Sequence, residues 1–175
     1  MTYARTQRNI RLGALATVAA AALLGTASAQ AAGTTSAVCA PQLSVTISPG
    51  FRLTPGSGTL SSGGETGSII CSGEVDGHHV TGPGTVGLDE TYAQGDCLSH
   101  VGTGTVRVSI PTTAGVVHLV GAATSRRTAL GLLADAQFPG VSYSGVGLAI
   151  PTQGDCLLTP MRQALITVSG LLSGS

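Results

Sequence analysis

Small residues recur at every second position along several stretches of this chain, a period that suits strands and refuses helices. Val80, Gly82, Gly84, Val86 and Leu88 share one face of such a stretch, and Gly102, Gly104, Val106, Val108 and Ile110 repeat it. Alternation of this kind puts every other side chain on the same side of a strand. Glycines two apart remove side chains where a strand must coil sharply or a second backbone comes close, as in small closed sheets. Gly145 and Gly147 show the spacing again.

Composition points the same way. The chain contains no lysine, no tryptophan and three glutamates, so the usual furniture of a helix surface is missing. Thr- and Val-rich runs broken by Gly read as short strands joined by tight turns. Strands are expected at Leu43–Ser48, ending at Pro49-Gly50, and at Arg52–Leu60 as an edge strand tolerant of Pro55. Ser61–Gly67 reads as a loop and Ser68–Ser72 as a strand. Further strands are Val80–Leu88, Gly102–Ile110, Val116–Ala123, Val141–Ile150 and Ala164–Leu172, with Asp89–Gly95 as a turn. Thr128–Phe138 fits either a helix or a strand; Gly131 favours the strand. The expectation is an all-β fold, an antiparallel β-barrel of about eight to nine strands, with a two-sheet β-sandwich as the alternative.

The segment before these strands reads as an export leader. Arg5, Arg8 and Arg11 precede the uncharged run Leu12–Leu24, and Ala29-Gln30-Ala31 supplies a small-x-small cleavage site between Ala31 and Ala32. Thirteen residues fall short of the roughly 20 that cross a bilayer. The organisation expected is therefore a signal peptide over 1–31, a flexible lead-in over 32–38 and one β domain over 39–175, secreted and without a membrane span.

Beyond residue 31 five arginines stand against eight carboxylates, and five minus eight gives a formal charge of −3. Nucleic acid would call for a basic face, and an anionic membrane surface would too. The overall balance argues against both.

One short repeat stands out. Gln94-Gly95-Asp96-Cys97-Leu98 returns as Gln153-Gly154-Asp155-Cys156-Leu157, each copy following a glycine-bearing strand. In an exported chain the four cysteines are expected to form two disulfides, for which three pairings exist. Cys39 precedes the first strand and Cys71 lies near the end of a later one, so antiparallel neighbours would bring them together. Cys97 and Cys156 hold equivalent places in the repeat and would share one rim. The expected pairs are Cys39–Cys71 and Cys97–Cys156, closing spans of 32 and 59 residues. A thiolate metal site would want C-x-x-C spacing, which the chain lacks.

Other chemistry is thin. Gly82–Gly87 matches G-x-G-x-x-G, but a dinucleotide site needs a helix N-terminus after it, whereas a turn is expected here. His78 and His79 are adjacent, which on a strand sends them to opposite faces and suits a solvent-facing turn better than a metal; His100 and His118 fall on expected strands. Asp89, Glu90, Asp96 and Asp155 could supply a glycosidase pair with Tyr92 or Tyr143 as sugar platform. An aspartate after glycine more often caps a turn. No G-x-S-x-G elbow and no N-x-S/T sequon occurs, and Arg126-Arg127 reads as a polar loop. No catalytic, cofactor or metal residues are assigned.

With its leader, its arginine without lysine, its Ala/Gly/Thr/Val-rich strands and its Gly95–Leu98 and Gly154–Leu157 loops, the chain resembles small secreted β-rich proteins of high-GC Gram-positive bacteria. It is also similar to the apoproteins of neocarzinostatin-like chromoproteins and to the subtilisin-inhibitor family. Those families hold short disulfide loops, whereas the cysteines here lie 32, 26 and 59 apart. The function expected is a non-enzymatic exported domain that binds a ligand or surface, or serves in the envelope. The alternatives are an inhibitor inserting Phe51–Gly67 into a protease, a carrier of a small apolar molecule, or an extracellular hydrolase using carboxylates around Asp89–Asp96.

Overall fold

The computed structural model describes residues 33–175, so the leader and its cleavage point at Ala31 and Ala32 lie outside the described residues. Ten strands follow one another: β1 Thr35–Phe51, β2 Gly56–Ser61, β3 Gly67–Val75, β4 His78–His79, β5 Gly84–Gly95, β6 His100–Thr112, β7 Gly115–Thr128, β8 Gly131–Phe138, β9 Val141–Gln153 and β10 Met161–Gly174. The described residues contain no helix, hence none long and apolar enough to cross a membrane.

Pairing is antiparallel throughout and returns to its start. From β5 the ladder runs through β6, β7, β8, β9 and β10, and β10 pairs with β1. The remaining position, between β1 and β5, is filled by two strands set end to end. β2 takes one half, pairing Thr46–Ser48 of β1 and Asp89–Tyr92 of β5; β3 takes the other, pairing Ser36–Gln42 and Gly84–Val86. The ring thus has eight positions, which selects the barrel over the sandwich. Closure removes most free strand edges. β8 is short, and Leu148–Gln153 of β9 therefore passes beyond it with one edge unpaired; Pro151, which has no N–H, sits in that segment.

Several boundaries differ from those read in the sequence. β1 starts at Thr35, inside the segment expected to be a flexible lead-in, because Thr35 and Ala37 point inward and are buried. It also runs through Pro49-Gly50 to Phe51, shifting register between Thr46 and Phe51. β5 starts at Gly84, and Val80 makes only an isolated bridge to Thr112. Asp89–Gly95, expected to be a turn, continues β5: its inward positions are Glu90 and Tyr92, so the alternation is real but not aliphatic. Arg126 and Arg127 belong to β7, and Phe51–Gly67 is no free loop, since β2 occupies its centre.

Alternation fills the interior. Leu43, Val45 and Ile47 of β1 meet Val106, Val108 and Ile110 of β6 and Ala164, Ile166 and Val168 of β10 in one apolar cluster. The glycine spacing has a physical cause at Gly104, where a Cβ would run into the backbone carbonyl of Asp89 on the neighbouring strand. On the outer wall Glu65, in the β2–β3 connection, accepts from Thr85 Oγ1 at 2.8 Å and Ser109 Oγ at 2.7 Å. These bonds lace the connection across β5 to β6 and hold the Glu65 carboxyl below its usual range, Ser109 contributing most.

Candidate functional site: one mouth of the barrel

Strand directions put four connections on one end of the barrel. Phe51 pairs with Met161, Gly56 with Gly95, His100 with Arg127, and Thr128 with Gly131. The connections 52–55, 96–99, 129–130 and 154–160 therefore share this mouth. Both copies of the sequence repeat lie here.

In each copy the aspartate organises the loop. Asp96 Oδ1 accepts from the N–H groups of Leu98 and Ser99 at 2.8 and 2.7 Å. Asp155 Oδ1 accepts from Leu157, Leu158 and Thr159 at 3.0, 2.8 and 2.9 Å. These backbone bonds hold both carboxyls below the usual aspartate range. The Cys97–Cys156 disulfide then joins a β5–β6 loop to a β9–β10 loop, strands that are far apart around the ring. It straps the mouth. Cys97 N–H donates to the Arg52 carbonyl at 3.0 Å, tying the third loop in. The second disulfide, Cys39–Cys71, joins directly opposed residues of β1 and β3 inside the barrel.

Below the strap lies an aromatic and polar layer. Phe51 stacks on His100 with centroids 4.9 Å apart and leans on Tyr92 at 4.6 Å. Ser125 Oγ donates to Glu90 Oε2 at 2.7 Å and lies 3.4 Å from His100 Nε2. All three are sealed, at 4% exposure for Glu90, 5% for His100 and 6% for Ser125. Gly102 makes the space: a Cβ there would approach Glu90 Oε2 to 2.6 Å and Ser125 Oγ to 2.9 Å. With the Ser125 O–H directed at Glu90, the fitting histidine tautomer carries its proton on Nε2 and donates to Ser125 Oγ. Its Nδ1 is then a bare acceptor, consistent with its having no hydrogen-bond partner.

Serine, histidine and a carboxylate together invite comparison with a nucleophilic triad. In a triad the imidazole sits between the other two and takes the serine proton. Here Ser125 is in the middle, with its proton turned to Glu90. The cluster is a buried polar tie between β5, β6 and β7.

Burial pushes the Glu90 carboxyl up, opposed in part by the Ser125 bond, and brings His100 down to about 4, with the Arg127 charge adding to the effect. The two act oppositely on stability. His100 refuses a proton that the unfolded chain accepts below pH 6.5, so its contribution falls away, by roughly 3 kcal/mol, as pH drops toward 4. Glu90 refuses to ionise above the ordinary carboxyl pKa of 4.5, so its contribution is lost as pH rises through the raised value. Glu90→Gln is therefore expected to raise the melting temperature at pH 7 and leave it unchanged near pH 4. Calorimetry across that range checks it; an equal shift at both pH values would contradict the assignment.

The remaining candidates are scattered. Asp89 faces outward, opposite to Glu90, where Ser61 Oγ donates to it at 2.6 Å and Arg107 Nη1 pairs with it at 2.8 Å. Those two bonds, Ser61 first, hold its carboxyl low. Asp89, Asp96 and Asp155 thus hold separate places, each with its own partners. His78 and His79 are exposed near the opposite end, His79 lying 3.4 Å from Glu74, and His118 Nδ1 lies 2.9 Å from Ser109 Oγ. No group of three potential metal ligands occurs among the described residues. Gly84–Gly87 is part of β5. Tyr143 is buried, its hydroxyl 3.5 Å from the Cys39 carbonyl, and burial raises it to about 12.

The interior below this layer holds an apolar cavity of about 80 Å³, walled by residues such as Val86, Val108, Leu132 and Tyr143, with Glu90 and Ser125 on its polar side. A cavity of ~150 Å³ is what benzene needs. Outside, the mouth is greasy. Leu130 is 95% exposed, Leu158 90% and Leu157 76%, with Leu98 and Leu53 also more than half exposed. Each of the four connections contributes at least one of these leucines.

Comparison with protein-family models, curated proteins and solved structures returns no match.

Proposed function

We propose that this chain is an exported, non-enzymatic binding domain that engages a surface through the leucine-bearing mouth of its barrel. The observation that carries this reading is the placement of five exposed leucines on the four loops of one end. Exposed aliphatic side chains scattered singly need no explanation, but a set on one rim marks an interaction site. The supports beneath them fit the same purpose. Two loops are pinned by aspartate-to-backbone bonds and strapped by Cys97–Cys156, so their leucines are presented at little entropic cost on binding. Two disulfides fit an extracellular setting, and the segment read as a leader over 1–31 would direct the chain there.

Carriage of a small apolar molecule is the second reading, favoured by the cavity behind Glu90 and Ser125. At about 80 Å³ that cavity suits only a ligand of a few atoms, which leaves the rim as the better-supported site.

Hydrogen exchange on the purified protein, with and without envelope preparations of its host, tests the proposal. Protection is expected in 96–99, 129–130 and 154–160, with the opposite end at Asp76–Gly77 and Thr113–Ala114 unchanged. Protection confined to that opposite end, or none, would overturn it.

A further inference from the structure

Charge on this barrel is segregated in a way that its total conceals. Of the five arginines among the described residues, Arg52, Arg126, Arg127 and Arg162 stand at or just beneath the leucine-bearing mouth, and only Arg107 is elsewhere. Arg107 is paired with Asp89; none of the other four lies within ion-pair distance of a carboxylate among the described residues. Asp96 and Asp155 share the rim, kept ionised by backbone N–H groups of their own loops, and offset two of those four positive charges, which leaves a net +2 at this end. Glu65, Glu74, Asp76, Asp89 and Asp135 lie on the wall or toward the far end. This end carries a net positive charge and its loops carry five exposed leucines, while the wall and far end hold five carboxylates against Arg107, together with exposed aliphatic side chains of their own such as Ile70, Val120 and Val146.

Resting on the binding reading above, we infer that the surface engaged is an anionic lipid bilayer, the rim leucines entering the headgroup–acyl boundary while the arginines meet lipid phosphates. Short apolar side chains flanked by cations satisfy both requirements of an interfacial site, apolar burial and attraction to anionic headgroups. Arginine suits the task, because its stem can lie along the apolar region while the guanidinium forks onto phosphate. The strapped mouth adds shape: loops tied across the opening enter together. The acidic remainder of the barrel is repelled by the same membrane, which fixes the orientation with the mouth down.

Sedimentation with phosphatidylcholine vesicles, with and without phosphatidylglycerol, tests this. Parent and variants are taken as recovered from the medium after export, because Arg5, Arg8, Arg11 and the apolar run of an uncleaved leader would bind such vesicles by themselves. The parent should partition onto the phosphatidylglycerol vesicles and release as salt rises. Leu157→Ser with Leu158→Ser should lower the partition coefficient about tenfold or more, and Arg52→Gln or Arg162→Gln about fivefold each. Leu171→Ser on the wall, half exposed and away from the rim, should leave it unchanged. These positions are exposed, so unaltered melting curves confirm that each variant folds. Equal binding to both vesicle types, indifference to the rim substitutions, or a stable dimer that buries the rim would overturn the inference. If vesicles fail while the rim is still protected by envelope preparations, the binding reading stands and the lipid assignment falls.

Discussion

Phe51→Ala is expected to destabilise the protein by about 3–5 kcal/mol, the cost of emptying a large aromatic site in a closed core. Phe51 is 1% exposed, and its ring contacts both Tyr92 and His100 at the base of the mouth. The loss reaches further than packing. His100 owes its low pKa of about 4 mainly to burial, and the stacked phenyl ring supplies part of it. The variant should therefore bring the imidazole back toward 6.5 and lessen the stability lost between pH 6.5 and 4. Urea unfolding at several pH values, with histidine titration by NMR, measures both effects. A stability cost with the histidine unmoved would mean that the ring is packing only.

Cys97→Ala with Cys156→Ala should cost about 4 kcal/mol in the loop-entropy view, since the bridge closes 59 residues. No strand ladder duplicates this link. It connects the β5–β6 and β9–β10 loops, whereas Cys39–Cys71 joins neighbours that β1 and β3 already hold in register. Both lower the entropy of the unfolded chain, but only the first also fixes the mouth. Chemical denaturation should show the loss, and hydrogen exchange should rise at 96–99 and 154–159 while the β1–β10 ladder stays protected. Uniform loosening of the barrel would argue against a local strap.

The fold was largely legible because its signal is a period. Val45 and Ile47, or Val106 and Val108, alternate with polar neighbours, and a strand follows whatever surrounds them. Legibility ended where inward positions were not aliphatic. Glu90 and Tyr92 continue the alternation of β5, yet a carboxylate pointing into a core looks like a turn residue on the page. The repeat was visible as letters, and its aspartates serve as turn caps, bonding to backbone two to four residues ahead. The rim was invisible for a different reason. Leu53, Leu98, Leu130 and Leu157 are separated by 45, 32 and 27 residues, and only the direction of each strand brings them to one end. A net charge of −3 likewise concealed four arginines gathered at that end. The spacing of Gly102 and Gly104 suggests curvature, whereas the missing side chain of Gly102 also accommodates the Glu90–Ser125 pair.

The doubled stave between β1 and β5 has a consequence for how this architecture can change. β2 and β3 travel in the same direction and hydrogen-bond to the same two neighbours, so 62–66 is a splice outside every ladder. At its apex a Cβ on Gly63 or Gly64 would meet nothing, although the Gly64 carbonyl lies against Gly87 of β5. Extra sequence grafted at Gly63-Gly64, or new ends opened there, would leave both ladders' registers in place, provided that Ser62 keeps its bonds to Leu88 and Glu65 its bonds to Thr85 and Ser109. Evolution has an entry point on the flank of this barrel that leaves its greasy mouth untouched.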